Sequence, residues 1–324
     1  MKYLSLILLL IFTSVAIAQT YAPIPGQIGS TAIHKDSSLI QSWASGIVLY
    51  RGYKDIANKS EGKVGFGVES NALYKAEGDG TTVVSLGDSG VAILTFDFAI
   101  ENGEGPDFAV FENGFEDNYI ELAFVEVSSD GVNFVRFPSY TEASQTVQIG
   151  PYEYSDCRYY HNLAGKYRQG YGTPFYLEDL KDSSGIDLNH ITHVKLVDII
   201  GTIDESFATK DELGRKINDT YPTAFDSGGF DLDAVAVINQ GPLLIHENEL
   251  DLVKVYPNPT NGTLYIQMDQ PALLKVSNVR GEILFQASRF LNDRIDLSYY
   301  SNGLYFIEIV TEKGVNTFKV NKSN

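Results

Sequence analysis

The chain has no pair of cysteines. Cys157 is the only one in 324 residues, which excludes an internal disulfide framework and leaves stability to a core or to bound metal. Basic charge is also scarce. Lysine and arginine number 24 against 42 aspartates and glutamates, a net charge of −18. That balance argues against nucleic acid or an anionic membrane surface as partner and is compatible with divalent cations. Long apolar runs are missing too. The only one, Leu4–Ile17, falls short of the ~20 residues that cross a bilayer, so no transmembrane segment is expected. No nucleophile elbow, zinc-helix motif or phosphate loop is present.

The short apolar run follows Lys2 and ends at Ala16-Ile17-Ala18. This is the layout of a secretory leader with a small-residue cleavage site. Residues 1–18 read as a signal peptide and the mature chain as starting at Gln19. The acidic charge is uneven. From Leu250 onward there are 8 basic and 7 acidic residues, whereas the remainder holds 16 and 35. The step predicts a body over 19–240, a linker over 241–250 and a small C-terminal domain over 251–324.

The body is organised around Tyr221–Asn239. A turn cluster, Asp226-Ser227-Gly228-Gly229, opens into an alternating run. Phe230, Leu232 and Ala234 point one way; Asp231, Asp233 and Val235 point the other. Such alternation reads as a half-buried strand. It places two carboxylates on one face about 7 Å apart, where they repel unless solvent or a cation intervenes. A hard cation, calcium above all, is the expectation. Asp107-Phe108-Ala109-Val110-Phe111 reads as another strand, with Glu112 on the face of Phe108 and Val110. There it either needs a partner or lies past the strand end in water. Asn113 offers a neutral oxygen beside it. Asp198 interrupts the apolar run 191–201, either as a further ligand or as a polar group satisfied by a loop. Calcium takes several carboxylate and carbonyl oxygens. The expected set is Asp107, Glu112, Asn113, Asp231 and Asp233, with Asp198 and Asp226 in addition. It requires strands 107–111 and 230–237 to be neighbours.

Elsewhere the pattern is strand and turn. TTVVSL, GDSG and VAILTFDF, residues 81–98, read as a hairpin. Ser129-Asp130-Gly131 reads as a second hairpin turn. Residues 139–180 break the rhythm with eight tyrosines, among them Tyr159, Tyr160 and Tyr171, interleaved with Arg158, His161, Lys166 and Arg168. Long loops are commonly functional, and tyrosine suits sugars. Tyr159, Tyr160, His161, Arg168 and Tyr171 are therefore candidate ligand contacts. A self-packed loop covering the sandwich edge accounts for the same composition. Trp43 reads either as a ring that stacks on ligand or as core packing.

The tail carries Tyr256-Pro257-Asn258-Pro259-Thr260 with Gly262, then Gly281, Ile295-Asp296-Leu297-Ser298, Gly303-Leu304-Tyr305 and Lys319-Val320. It resembles the C-terminal sorting domain of type IX secretion cargo. The resemblance implies an Ig-like β-sandwich, interaction with that machinery, and delivery to the outer-membrane exterior or the medium. The body carries Gly105-Pro106-Asp107-Phe108-Ala109-Val110-Phe111-Glu112-Asn113, Asn162-Leu163-Ala164-Gly165 and Ser227-Gly228-Gly229-Phe230-Asp231. It resembles a family of bacterial cell-surface proteins and is similar in layout to jelly-roll carbohydrate-binding modules, which often hold a structural calcium. The expected fold is all-β, a jelly-roll-like sandwich followed by the sorting domain. The expected function is non-catalytic binding of a surface ligand, a glycan first. A secreted hydrolase on polysaccharide or peptide, a structural adhesin and a corrinoid-capture protein stand as alternatives.

Overall fold

In Val91–Ile100, Ala92, Leu94 and Phe96 are fully buried while Val91, Ile93, Thr95 and Asp97 around them are not. This is the period-two pattern of a strand packed on one face, and it forms the longest strand of the body. In the computed structural model, residues 20–243, 253–268, 271–311 and 314–323 are described. The expected leader, residues 1–18, lies outside them. The chain divides into two compact units, Met1–Leu244 and Ile245–Asn324.

The first unit is an antiparallel two-sheet sandwich. One sheet runs Ile33–His34, Tyr171–Phe175, Phe108–Glu112, Asp231–Val237, Ser42–Trp43, with Val84–Ser85 also paired to Asp231–Val237. The other runs Gln240–Leu243, Val91–Ile100, Ile191–Asp198, Ala123–Ser128, Val135–Arg136, with Gly46–Tyr50 also paired to Val91–Ile100. Successive strands change sheet at nearly every connection, as in a jelly roll. Phe108, Val110, Phe175, Val235 and Val237 from the first sheet meet Leu94, Phe96, Val125 and Leu196 from the second in one core. Removing a ring such as Phe108 from this core costs about 3–5 kcal/mol.

Three expectations change here. Val84–Ser85 and Val91–Ile100 do not form a hairpin. They lie in opposite sheets, and Gly87–Gly90 is the crossover between them. Asp231–Val237 is buried along its whole length rather than on one face, because Ala234 and Ala236 pack outward against Phe111 and Trp43. The register also shifts between Leu232 and Ala234, so Asp233 is the extra residue of a β-bulge. Leu232 and Val235 therefore share the core side, and Asp231 and Asp233 are held by separate donors, Ser85 and Asn113 for the first and the Glu77 and Gly78 amides for the second. The start of the expected linker, Gly241–Leu243, belongs to the last strand of the sandwich; residues 244–252 lie outside the described ones.

The second unit pairs Lys254–Tyr256, Thr263–Gln267 and Asp293–Asp296 in one sheet. Ile283–Phe290, Ala272–Asn278, Gly303–Thr311 and Gly314–Lys322 form the other. Leu264, Ile266, Leu274, Val276, Leu297, Ile307 and Ile309 fill its core. Seven short strands in two sheets give the small sandwich expected of the tail.

Candidate functional site

Phe108–Glu112 and Asp231–Val237 are adjacent antiparallel strands, with Glu112 opposite Leu232. The neighbourhood that the cation expectation requires is therefore present. At this end of the pair Glu112, Asn113 and Asp231 are all buried. Asp231 accepts a hydrogen bond from Ser85 Oγ and one of 3.1 Å from Asn113 Nδ2. Burial pushes its carboxyl up to about 7, against the opposing pull of those two donors and of Arg51. Glu112 Oε2 accepts from the Gly114 amide at 2.7 Å, while Oε1 is buried with no hydrogen-bond partner among the described residues. Burial first, then the charge of Asp231, holds Glu112 well above the usual carboxylate range.

A third carboxyl joins them. Glu121 is 7% exposed and is raised by burial and then by Asp231 and Glu112. Its main chain is fixed from behind. Gly165 has φ of 88°, and a Cβ there would lie 1.9 Å from the Glu121 carbonyl. Only glycine allows both the conformation and the approach. Nothing in the run Glu121-Leu122-Ala123-Phe124 separates this acid from an ordinary strand-leading residue. Its one sequence signal is a charge placed directly before an apolar strand.

The other expected acids serve the framework. Asp107 lies at the far end of its strand from Glu112 and accepts from the Gly103 and Leu177 amides and from Asn239 Nδ2. Asp198 accepts from the Ser89 and Phe230 amides, at 3.0 and 2.7 Å, tying one sheet to the loops of the other. Asp233, on the bulge, accepts from the Glu77 and Gly78 amides and is raised to about 6 by burial. Asp226 is exposed and pairs with Lys54 Nζ at 3.0 Å. The seven expected ligands thus scatter, and only Glu112, Asn113 and Asp231 come together. Among the described residues, no three acidic, histidine or cysteine side chains converge closely enough to hold a metal ion.

Above the acids opens a cavity of about 290 Å³. Glu121, Asp231 and Asn113 line it together with Phe66, Phe115, Tyr119, Tyr152 and Phe225. These rings come from four loops, Phe115 and Tyr119 sharing one. Arg51 holds one of them, donating to the carbonyls of Phe66, Ser85 and Gly67. Gly80 seats another: a Cβ at that position would fall 2.5 Å from the Phe115 ring. Phe115 and Tyr152 also belong to a wider groove of about 1250 Å³ beside the cavity.

Of the candidate ligand contacts, Tyr159 and Arg168 line this groove. Arg168 Nε stands 2.9 Å from Asp117 Oδ1 and its guanidinium 4.9 Å from the Tyr171 ring. Tyr171 itself packs edge-on to His34. His161 is stacked between Tyr21 and Tyr140, and burial lowers its pKa. Tyr160 is fully buried, its hydroxyl bonded to Ser155 Oγ and the Asn218 carbonyl, each at 2.7 Å. Trp43 packs on Phe111 at 5.3 Å, away from the groove. The tyrosine-rich segment is therefore both wall and self-packed layer, with Cys157, Tyr160, Leu163 and Tyr167 in a core of their own.

The tail decides where all this is displayed. Residues 254–322 match the profile of the secretion system C-terminal sorting domain. The chain carries a type IX sorting domain. The sorting domain sends the protein to the cell surface or the extracellular space and implies contact with the secretion machinery. No helix among the described residues is long and apolar enough to cross a membrane. No curated protein matches the chain. Among solved structures, PorZ, a surface component of the type IX secretion system of Porphyromonas gingivalis, is 18% identical over 28% of this chain and 14% of its own, with a TM-score of 0.21. A β-glucuronidase of Ruminococcus gnavus is 12% identical over 87% and 43%, with a TM-score of 0.20. The BSP domain of a biofilm-associated protein is 11% identical over 86% and 52%, with a TM-score of 0.19. The chain spans about half or less of each of these proteins, and no shared fold follows at these scores.

Proposed function

We propose that the body is a non-catalytic receptor displayed outside the cell, taking a ligand along the groove and a positive charge in the acid-floored cavity. The observation that carries this reading is the grouping of Glu112, Glu121 and Asp231 at one end of the sandwich, beneath an open cavity. Burying three like-charged groups is costly unless protons or a cation neutralise them. Glycan is the ligand class for the groove, because Tyr152, Tyr154 and Tyr159 line it among polar groups and tyrosine pairs a flat apolar face with a hydroxyl. Calcium is the inorganic carrier of the positive charge. Glu112, Glu121 and Asp231 with the Asn113 side-chain oxygen would have to close in from their present spacing to hold it, and the unpartnered Oε1 of Glu112 is what supports that role. The test is thermal melting of the full exported chain, stripped with chelator and then titrated with calcium, next to a glycan-array screen. A melting temperature indifferent to both treatments, together with a silent array, would sink the reading.

A hydrolase is the second reading. It is favoured by Glu121 and Asp231 lining one cavity with raised carboxyl pKa values, as a general acid requires. Turnover of an array-positive glycan that disappears in Glu121→Gln would select it. Binding without turnover selects the receptor.

A further inference from the structure

Half of the cavity wall is aromatic. Phe66, Phe115, Tyr119, Tyr152 and Phe225 supply ring surface, and Glu121 and Asp231 supply the only ionisable acids of the lining. Three of the rings are held ready for contact: Phe115, Tyr152 and Phe225 are 63%, 74% and 42% exposed. Tyr152 and Phe225 stand 6.1 Å apart, and Phe115 and Tyr119 6.3 Å.

This wall selects among cations. Calcium needs six to eight oxygens at 2.3–2.6 Å, and rings cannot replace the water it would shed. Among the described residues the acids do not converge to that spacing. An organic ammonium is larger and more weakly hydrated, and it is attracted by aromatic faces as well as by carboxylates. A space of about 290 Å³ accommodates such a group with several attached carbons. A neutral apolar ligand would bring the acids no counter-charge, and an anion would be repelled. Arg51 is held elsewhere, its guanidinium donating to the carbonyls of Phe66, Gly67 and Ser85.

We infer that the cavity receives an organic ammonium group carried on a ligand that continues into the groove through the shared Phe115 and Tyr152. This rests on the groove and cavity being the binding site, as proposed above. For a glycan it names the substrate class: sugars bearing free amines, in preference to their N-acetylated forms.

The probes are glucosamine oligomers, the same oligomers N-acetylated, choline, and calcium chloride, each titrated calorimetrically into the full exported chain. Glucosamine oligomers should bind at least tenfold more tightly than the acetylated ones, and choline should compete with them. Phe225→Ala and Tyr152→Ala change exposed rings and should keep the fold. Each should weaken the two ammonium probes about tenfold, and Asp231→Asn should do the same. Equal binding of acetylated and free oligomers would overturn the inference while leaving the groove as the glycan site. Calcium binding that is lost in Asp231→Asn but untouched by Phe225→Ala, with choline silent, would overturn it while leaving a cation at the acid floor. Silence from all four probes overturns both.

Discussion

Glu112 stands opposite Leu232 across two antiparallel strands, and that register brings it beside Asp231 although 118 positions separate Asn113 from Asp231 in the chain. One consequence is testable at a single atom pair. Glu112→Gln keeps an oxygen to accept from the Gly114 amide and removes the charge. In chelator-treated protein at pH 8 it should melt several degrees higher than the parent, because folding no longer has to protonate or desolvate a carboxylate that is free in the unfolded chain. At pH 5, where the native carboxyl is already neutral, the two should melt together. An equal shift at both pH values would contradict the raised pKa.

The pH dependence of the whole body follows from the same burial. Asp231 and Asp88 are raised to about 7 and Asp233 to about 6, while Glu112, Glu121, Asp198 and Asp219 lie well above their ordinary range. Folded values above the unfolded ones mean that the chain binds more protons when folded. This contribution is complete below about pH 4 and is lost as pH rises through 6–7 and beyond. For Asp231 alone, moving from 3.8 to about 7 corresponds to something on the order of 4 kcal/mol. Melting followed from pH 5 to 8 should fall steadily without ligand, and a cationic ligand should raise the pH 8 value more than the pH 5 value. A flat or rising profile would show that these carboxyls ionise freely.

Much of this was legible in the residues. Alternation located the long strands, and Asn-Gly and Arg-Gly turns outlined the tail. The costly position of Glu112 beside Phe108 and Val110 pointed to the strand end where Asn113 and Asp231 are also buried. Three things were not legible, for physical reasons. A bulge at Asp233 is decided by the partner strand, so alternation within Phe230–Val237 could not reveal it. Alternation also cannot say which sheet a strand joins, which is why the Gly87–Gly90 crossover read as a hairpin. The aromatic rim draws Phe66, Phe115, Tyr152 and Phe225 from separate loops, and nothing local links them.

Arg51 is expected to be structurally demanding. Its guanidinium donates to three carbonyls, those of Phe66, Gly67 and Ser85, at 2.6–3.0 Å. A lysine ammonium cannot reproduce that planar fork. Arg51→Lys should cost about 2–4 kcal/mol, or roughly 5–15 °C in melting for a unit of this size. Melting within a degree of the parent would mean that the Phe66 loop is held by other contacts.

Export should depend on the tail and ligand binding on the body. Each unit has its own core, and residues 254–322 carry the sorting match. Deleting those residues should leave the protein inside the outer membrane, protected from protease added to intact cells, while the intact chain reaches the surface or the medium. Surface accessibility of the deleted form at the parent's level would break the assignment.

The most selective prediction concerns Gly80. A methyl group there meets Phe115 Cε1 at 2.5 Å, so the ring must leave its seat. Phe115 is largely exposed, and swinging it outward should change stability by no more than about 1 kcal/mol. The cavity then loses one wall. Gly80→Ala should weaken binding of whichever probe occupies the cavity about tenfold, equivalent to about 1.4 kcal/mol, and Phe115→Ala should weaken it equally. Combining them distinguishes this cause from general damage. If Gly80 acts only by seating Phe115, the double variant should be no weaker than Phe115→Ala alone, a coupling as large as either single effect. Additive losses in the double variant would show that Gly80 contributes by some route other than this ring.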